Sequence, residues 1–524
     1  MTISFTRRQT LSGLALSGHA LAGLAASTVV SVLPAQAQQN GSVTFPGEIG
    51  DGQRFNASAL LDLARGLAKR PMAANPTDLP DGLGALTPEA VGAVRMQRQH
   101  WAWVGESRGF AIEPLHRGSI FNNQVTVFLV EDGVVRRAGF DKNRFDYGRV
   151  PVPGAQTDLG FSGFRLHFGS ESLVEAAVFQ GATFFRAVAR GQIFGAVARS
   201  LVLRPGEQRG EEVPFFRAFW IERPGPAATA ITVHGLIETD SASAAIRMTL
   251  RPGDIMINDI EMTLFARSQL DNVGFAGLMG NFLFAPQRRR IFDDVRPAVH
   301  EVSGLQLRTG ADEWVYRPLN NPEQLQISAF VDNNPRGFGL VQRERDYNAY
   351  QDDDQRYELR PSVWIEPLGE WGPGTVQLLE VPTDSEMNDN VIAHWRPRQP
   401  LAAGSETTLS YRQFWCWQPP EAPPVAIVRS TRQGRGSQGR RRRFFVDFAG
   451  DVLADPNLAQ MVKVVLSSTP GTIHNTRTVA YPERKTLRVS FELDPGAENA
   501  CELRLQLDLG GKPLSETWLN RWTP

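Results

Sequence analysis

The chain has 524 residues, with 55 Lys+Arg against 56 Asp+Glu, a formal charge of −1, 42% hydrophobic residues and 21% charged ones. That balance excludes wholesale disorder and a general nucleic-acid binder, which would carry a basic excess to displace counterions. Two Cys and eight scattered His, without a His-x-His or His-Glu-x-x-His spacing, leave no disulfide framework and no readable metal site.

Residues 1–37 are expected to be an export signal. Thr6-Arg7-Arg8-Gln9-Thr10-Leu11 is a twin-arginine pattern, a weakly apolar stretch runs to Leu33, and Ala35-Gln36-Ala37 offers small residues for cleavage. Gly, Ser, Thr and His19 dilute that stretch, which argues against a membrane anchor. Loss of Arg7 and Arg8 would take the charge from −1 to −3. The mature protein is expected in the periplasm, not embedded in a membrane.

A short helix comes first. Leu60, Leu61, Leu63, Ala64, Leu67 and Ala68 fit a 3.6-residue period after Phe55-Asn56, and Arg70-Pro71 ends it. From about residue 110 alternating runs with turn residues between them predict strands at 125–130, 161–168, 175–179, 193–203, 215–221, 231–237, 245–250 and 255–265. The fold class is therefore all-β, a large many-stranded sandwich over residues 38–418. Pro419-Pro420-Glu421-Ala422-Pro423-Pro424 reads as a linker. Residues 425–524 alternate with the spacing of a small immunoglobulin-like sandwich, with strands near 425–430, 443–449, 461–466, 475–481, 486–493 and 501–509. The basic run from Gly434 to Arg443 reads as a solvated loop feeding a strand, since the rest of the chain is acidic.

Acids, aromatics and Arg interleave between 293 and 395. That mixture suits a carbohydrate cleft, in which rings stack on sugars and a carboxylate pair cleaves the glycosidic bond. A salt-bridged structural region would have the same composition. The Arg bias itself, five Lys against 50 Arg, is expected to reflect genome composition for the most part. The planar Arg fork nevertheless suits carboxylates and sugar hydroxyls.

Within that region stand Val299-His300-x-x-Ser303-Gly304-Leu305, Glu313-Trp314-x-x-Arg317-Pro318-Leu319-Asn320-Asn321-Pro322 and Asp332-Asn333-Asn334-Pro335-Arg336-Gly337-Phe338-Gly339-Leu340. Tyr357-Glu358-Leu359-Arg360-Pro361-Ser362, Glu366-Pro367-Leu368-Gly369 and Pro382-Thr383-Asp384 to Asn388-Asp389-Asn390 follow. Together they resemble the osmoregulated periplasmic glucan biosynthesis proteins, from about residue 42 to the C-terminus. The twin-arginine leader makes the chain more like the D type than the G type. The resemblance implies a galactose-mutarotase-like sandwich followed by an immunoglobulin-like one. It also implies action on β-1,2-linked glucan, as an inverting endo-hydrolase or a transglycosylase, with no cofactor and a functional link to the inner-membrane glucan synthase.

Laid residue by residue, the resemblance puts the general acid at Asp389, with Asp384 and Glu386 beside it. Glu301 stands where the family usually has Asp, as base or proton relay, and Ser303 replaces a second family Asp. The stretches Ala276 to Phe282 and Gln287 to Arg290 also depart from the family pattern. Local alternatives stay open: an Asx-turn acid at Asp389, and an ion pair of Glu301 with Arg296 or Arg308. Tyr347, Tyr350, Trp314, Trp364 and Trp371 are stacking platforms or core, and Arg336 and Arg360 are expected in the cleft. His300 reads as structural. Cys416 and Cys501 are a pair or two separate buried thiols. A homodimer is compatible with the sequence. The reading from another class is a non-catalytic glucan-binding factor that controls backbone structure, and a mutarotase-like isomerase has fold analogy alone.

Overall fold

The computed structural model describes residues 49–524, apart from 74–76, 78, 80–81, 153, 155–157, 170–171 and 287–291. The expected export segment 1–37 and the Gln287 to Arg290 departure lie outside the described residues.

The first helix forms over Ala57–Leu67, where Asn56 stays extended and its side-chain oxygen accepts from the Ser58 N–H. That is an N-cap, which satisfies one of the donors left free at a helix start. Leu60, Ala64 and Leu67 bury against Trp220, Leu236 and Ala245 on the outside of the larger sheet.

Strands dominate the rest. The larger sheet has fifteen strands, and its central ladder runs Trp314–Pro318, Gly304–Arg308, Gly337–Val341, Ser362–Leu368, Glu406–Cys416, Met256–Ala266, Ala242–Arg251, Ile231–Glu238 and Phe215–Glu222. The second sheet has nine, running Gln326–Asn333, Pro373–Glu380, Val391–Pro397, Val273–Gly280, Val197–Leu203, Phe184–Ala187, Val174–Gln180, Gly163–Phe168 and Phe110–Leu115. Alternate residues of both sheets point into one shared core: Ile246, Met248 and Met262 from the first, Phe164, Phe275, Leu378 and Trp395 from the second. Period-two burial on two facing sheets is what makes a sandwich. The expected all-β class is the observed one. The strand expected at 193–203 starts only at Val197, because Gly191 turns the chain with positive φ and Ile193 donates to the Leu359 carbonyl instead of a ladder partner.

Residues 419–424 carry neither helix nor strand. Beyond them lie a four-stranded sheet, Ile427–Arg435, Arg442–Ala449, Thr486–Asp494 and Thr472–Tyr481, and the strands Lys463–Thr469, Cys501–Leu509 and Thr517–Trp522. Phe444, Val446, Phe491, Leu505 and Trp518 fill the space between them. The strand Thr517–Trp522 was not expected. It pairs in parallel with Trp314–Pro318, so the larger sheet runs on into the C-terminal strands. Cys416 and Cys501 are both free thiols, buried in different clusters. No helix among the described residues is long and apolar enough to cross a membrane.

Candidate functional site

Two candidate acids converge on one residue, Asn281. It lies between the strands Val273–Gly280 and Phe282–Phe284 and is fully buried. Its carbonyl accepts the Glu301 N–H at 2.9 Å, and its side chain donates to the Asn388 carbonyl at 2.7 Å, next to Asp389. Glu301 follows the short strand Val299–His300, which pairs with Phe282–Phe284. Asp389 is the last residue but one of the loop between Pro373–Glu380 and Val391–Pro397.

Three amides hold that loop. Asn390, buried, accepts from the Phe282 N–H at 2.8 Å and donates to the Val381 carbonyl at 3.0 Å. Asn321 donates to the carbonyls of Thr383 and Leu283 at 2.7 and 3.0 Å and accepts from the Thr383 N–H at 3.0 Å. Asn281 supplies the third contact. Buried polar groups need partners, and these bonds fix the loop against two separate stretches of chain, 281–283 and Asn321.

Each acid faces an arginine. Asp389 Oδ2 lies 3.4 Å from Arg186 Nη2, and its side chain is only 5% exposed. Arg186 is set in turn by a bond from its Nε to the Gly195 carbonyl at 3.1 Å. Glu301 Oε1 lies 4.0 Å from Arg360 Nη1. Neither Arg296 nor Arg308 pairs with Glu301, which corrects that alternative. Arg308 is taken by Asp312 and Glu421. Arg296 sits among Asp294, Asp352 and Glu386 at 2.7, 2.7 and 2.8 Å. The hydrogen bond to Asp294 leads in raising the Arg296 guanidinium above its ordinary range, with Asp352 and Glu386 adding to it. Tyr357 donates to the same Glu386 oxygen at 2.8 Å. Among the described residues no group of His, Cys, Asp and Glu is arranged to hold a metal, and in this acid cluster the positive charge is the guanidinium.

The remaining expected residues separate. Arg360 belongs here, held by the Gln355 carbonyl at 3.1 Å and side chain at 3.2 Å. Glu386 lies one contact away, and Asp384 is exposed on the same loop. Tyr350 is fully buried between His300 and Tyr357, so it is core and not a platform. His300 packs on Phe282 in the same wall. Tyr347 is 39% exposed and donates to Asp353 at 2.9 Å. Trp314 and Trp364 stack 6.0 Å apart and pack with Phe414 and Cys416, which corrects their reading as stacking platforms. Trp364 and Arg336 line a separate cleft of about 300 Å³ that also includes Arg308, Glu366 and Glu421. Arg336 is bound there to Asp312 at 3.1 Å, away from the two acids. Trp371 packs inward on Phe338, Trp395 and Tyr411.

A family model described as "Periplasmic glucan biosynthesis protein, MdoG" matches residues 55–522. The chain belongs to that family. A Glucans biosynthesis protein G of Rhodopseudomonas palustris is 42% identical over 473 residues, covering 90% of this chain and 93% of that one. Another, from Bradyrhizobium diazoefficiens, is 40% identical over 510 residues, covering 96% and 99%. Both carry the G name, whereas the leader alone had suggested the D type. Among solved structures, a galactose mutarotase related enzyme from Lactobacillus acidophilus aligns at 9% identity and a TM-score of 0.19, over 45% of this chain and 95% of that one.

In this member of the MdoG family the sequence reading missed Arg186, Asn281, Asn321, Asn390 and Arg296. The doubled asparagines in Asn320-Asn321 and around Asp389 were the available signal, since short amides so often bond backbone. Nothing local marks Arg186 or Asn281, which reach Asp389 and Asn388 across 203 and 107 residues.

Proposed function

We propose that this family member is a periplasmic enzyme that cleaves or transfers β-1,2-glucan with inversion. Asp389 gives the proton to the leaving oxygen, and Glu301 takes one from the attacking water or sugar hydroxyl, directly or through a relay. The observation that supports this reading is that Asn281 ties the Glu301 backbone N–H and the Asn388 carbonyl beside Asp389 together, which holds the two acid-bearing segments next to each other. Residues 1–37 are read as the twin-arginine signal, 38–418 as the glucan-active unit, 419–424 as the linker and 425–524 as the immunoglobulin-like unit.

One observation favours the second reading, a glucan-binding factor without catalysis. Both acids are nearly buried and each faces an arginine. Incubation with linear β-1,2-glucan, followed by chromatography, decides between the readings, with Asp389→Asn and Glu301→Gln alongside. Short linear products indicate hydrolysis, and rearranged or cyclic products without new reducing ends indicate transfer. Either activity should fall about 10²–10⁴-fold in both variants. A wild type that binds the polymer and leaves it intact defeats the enzyme reading.

A further inference from the structure

Charge is spread unevenly along the chain. Residues 38–424 hold 38 Lys+Arg against 46 Asp+Glu, a balance of −8, whereas residues 425–524 hold 15 against 10, a balance of +5. Much of that excess gathers on one face of the four-stranded sheet. Phe444, Val446, Val489 and Phe491 point into the small core, so the residues alternating with them point outward. One row across the ladder reads Arg432, Phe445, Ser490 and Arg477, and the rows on either side add Arg488 and Arg443.

Guanidiniums cover the two rings of this face. Arg432 and Arg488 each lie 5.5 Å from the Phe445 centroid, and Arg488 and Arg484 lie 5.6 and 5.8 Å from that of Tyr481. The acids lie beneath. Asp447 takes Arg432 at 3.2 Å and Arg488 at 2.7 Å, and its side chain is 11% exposed against 43% for Arg432. Glu492 holds Arg443 at 2.6 Å and is 1% exposed against 49%. Arg477 and Arg484 are exposed, and among the described residues no ion pair joins either to an acid. Five guanidiniums thus meet three acids, Asp447, Glu492 and the exposed Glu483 beside Arg484, with the positive charge outermost.

This layering decides what the face can take. A neutral sugar or a base needs an open ring to stack on, and both rings are already covered. An apolar partner needs exposed apolar side chains, and the large ones exposed in this part of the chain, Val452, Met461 and Val465, stand on none of these rows. A single small anion needs donors gathered round a point, and these are spread over four strands, about 15 Å of sheet. A plane of phosphodiester headgroups presents many anions at one level and matches that spread. Such a plane also repels the −8 of residues 38–424 while it attracts this face, so it orients the whole molecule, which a flexible polyanion does not.

We propose that the outer face of this sheet docks on the surface of an anionic phospholipid membrane, by charge and without insertion. The small sandwich then lies toward the lipid and the larger one away from it. The claim does not depend on whether Glu301 and Asp389 are catalytic.

Sedimentation of the chain from residue 38 with vesicles tests it. Vesicles of phosphatidylcholine and phosphatidylglycerol carry the protein down at low ionic strength, and vesicles of phosphatidylcholine alone do not. Added salt releases it, because exposed charges are screened within about 10 Å at 0.1 M. Arg477→Gln and Arg484→Gln each weaken partition about fivefold. Arg190→Gln and Arg209→Gln make the same change in net charge at exposed positions of the larger sandwich and leave partition within about twofold. No excess binding to the phosphatidylglycerol vesicles overturns the proposal. So does an equal loss in the Arg190 and Arg209 variants, or binding that persists in high salt. Capture of dextran sulfate without capture of vesicles also overturns it, and assigns the face to a soluble polyanion.

Discussion

Asn390→Ala tests whether the acid loop is held as its hydrogen bonds indicate. The substitution removes an acceptor from the Phe282 N–H and a donor from the Val381 carbonyl, bonds of 2.8 and 3.0 Å at a residue 3% exposed. Both groups lie where water enters poorly, so each is left with most of its desolvation penalty. Two orphans at about 1–3 kcal/mol each put the loss at about 3–4 kcal/mol. Urea denaturation reads this as a lower midpoint at unchanged slope, because the surface exposed on unfolding hardly changes. Asp384→Ala, on the exposed part of the same loop, is the control and stays within about 0.5 kcal/mol of the wild type. Turnover should also fall in Asn390→Ala, since Asp389 loses its anchor while keeping its carboxylate. A loss below about 1 kcal/mol would refute the reasoning, because the loop would then be standing without the amide.

Trp314→Ala and Trp364→Ala should each cost about 3–5 kcal/mol of stability by chemical denaturation, with glucan affinity unchanged, because both rings are core. Glu113 gives the fold an acid limit. Burial pushes its carboxyl up, but hydrogen bonds from His167 and Arg95 and the charges of Arg165 and Arg95 outweigh it and hold the group at about 2, against 4.5 unfolded. A depressed carboxyl stabilises above its unfolded pKa, so about 3 kcal/mol is present at neutral pH and is lost as pH falls from 4.5 toward 2. Thermal unfolding between pH 7 and 2.5 should show that slope, and Glu113→Gln should flatten it. Arg267→Lys should cost about 2 kcal/mol, measured in urea. The Arg holds the carbonyls of Thr239 and Asp240 with one nitrogen, and Leu67 and Glu238 with another, and an ammonium cannot span them.

The sandwich was legible because burial on facing sheets imposes period two. Ile260, Glu261 and Met262 alternate inward and outward in sequence as they do in the ladder. What that period cannot say is which face is covered. In Ser362–Leu368, Val363 and Ile365 point into the main core while Trp364 points the other way, into a second cluster with Trp314. Read along one strand, a Trp on the far face looks like a platform for a ligand. The last strand was invisible for a related reason. Thr517–Trp522 takes as one neighbour a strand some 200 residues earlier, in parallel, and no local turn announces such a partner. The candidate acids and Arg360 were legible only through motif resemblance, and their supports were not, because a clamp between distant segments leaves no spacing to read.

The Arg excess sharpens this point. The bias toward 50 Arg over five Lys was read as genome composition for the most part, but the fold sorts the two cations by solvation. None of the five Lys is buried, whereas Arg117, Arg165, Arg199, Arg217, Arg317 and Arg360 are. An ammonium holds its water tightly and offers one point of charge, whereas a guanidinium gives up water more easily and has five donors in a plane. Several of these side chains act on backbone as well as on acids. Arg117 takes the Asn122 and Leu159 carbonyls, and Arg345 takes those of Glu358, Arg360 and Trp417. Loops between strands end in carbonyls that no ladder satisfies, and in a sandwich of this size many of those ends are buried. A fork that satisfies two or three at once lets a long loop lie against the sheet without strands of its own. The loops around Glu301 and Asp389 solve the same problem with amides: Asn281, Asn321, Asn390 and Gln342 take their carbonyls, while Arg186, Arg296 and Arg360 face the carboxylates. Whatever the source of the Arg bias, the burial of loop carbonyls explains where the fold uses it.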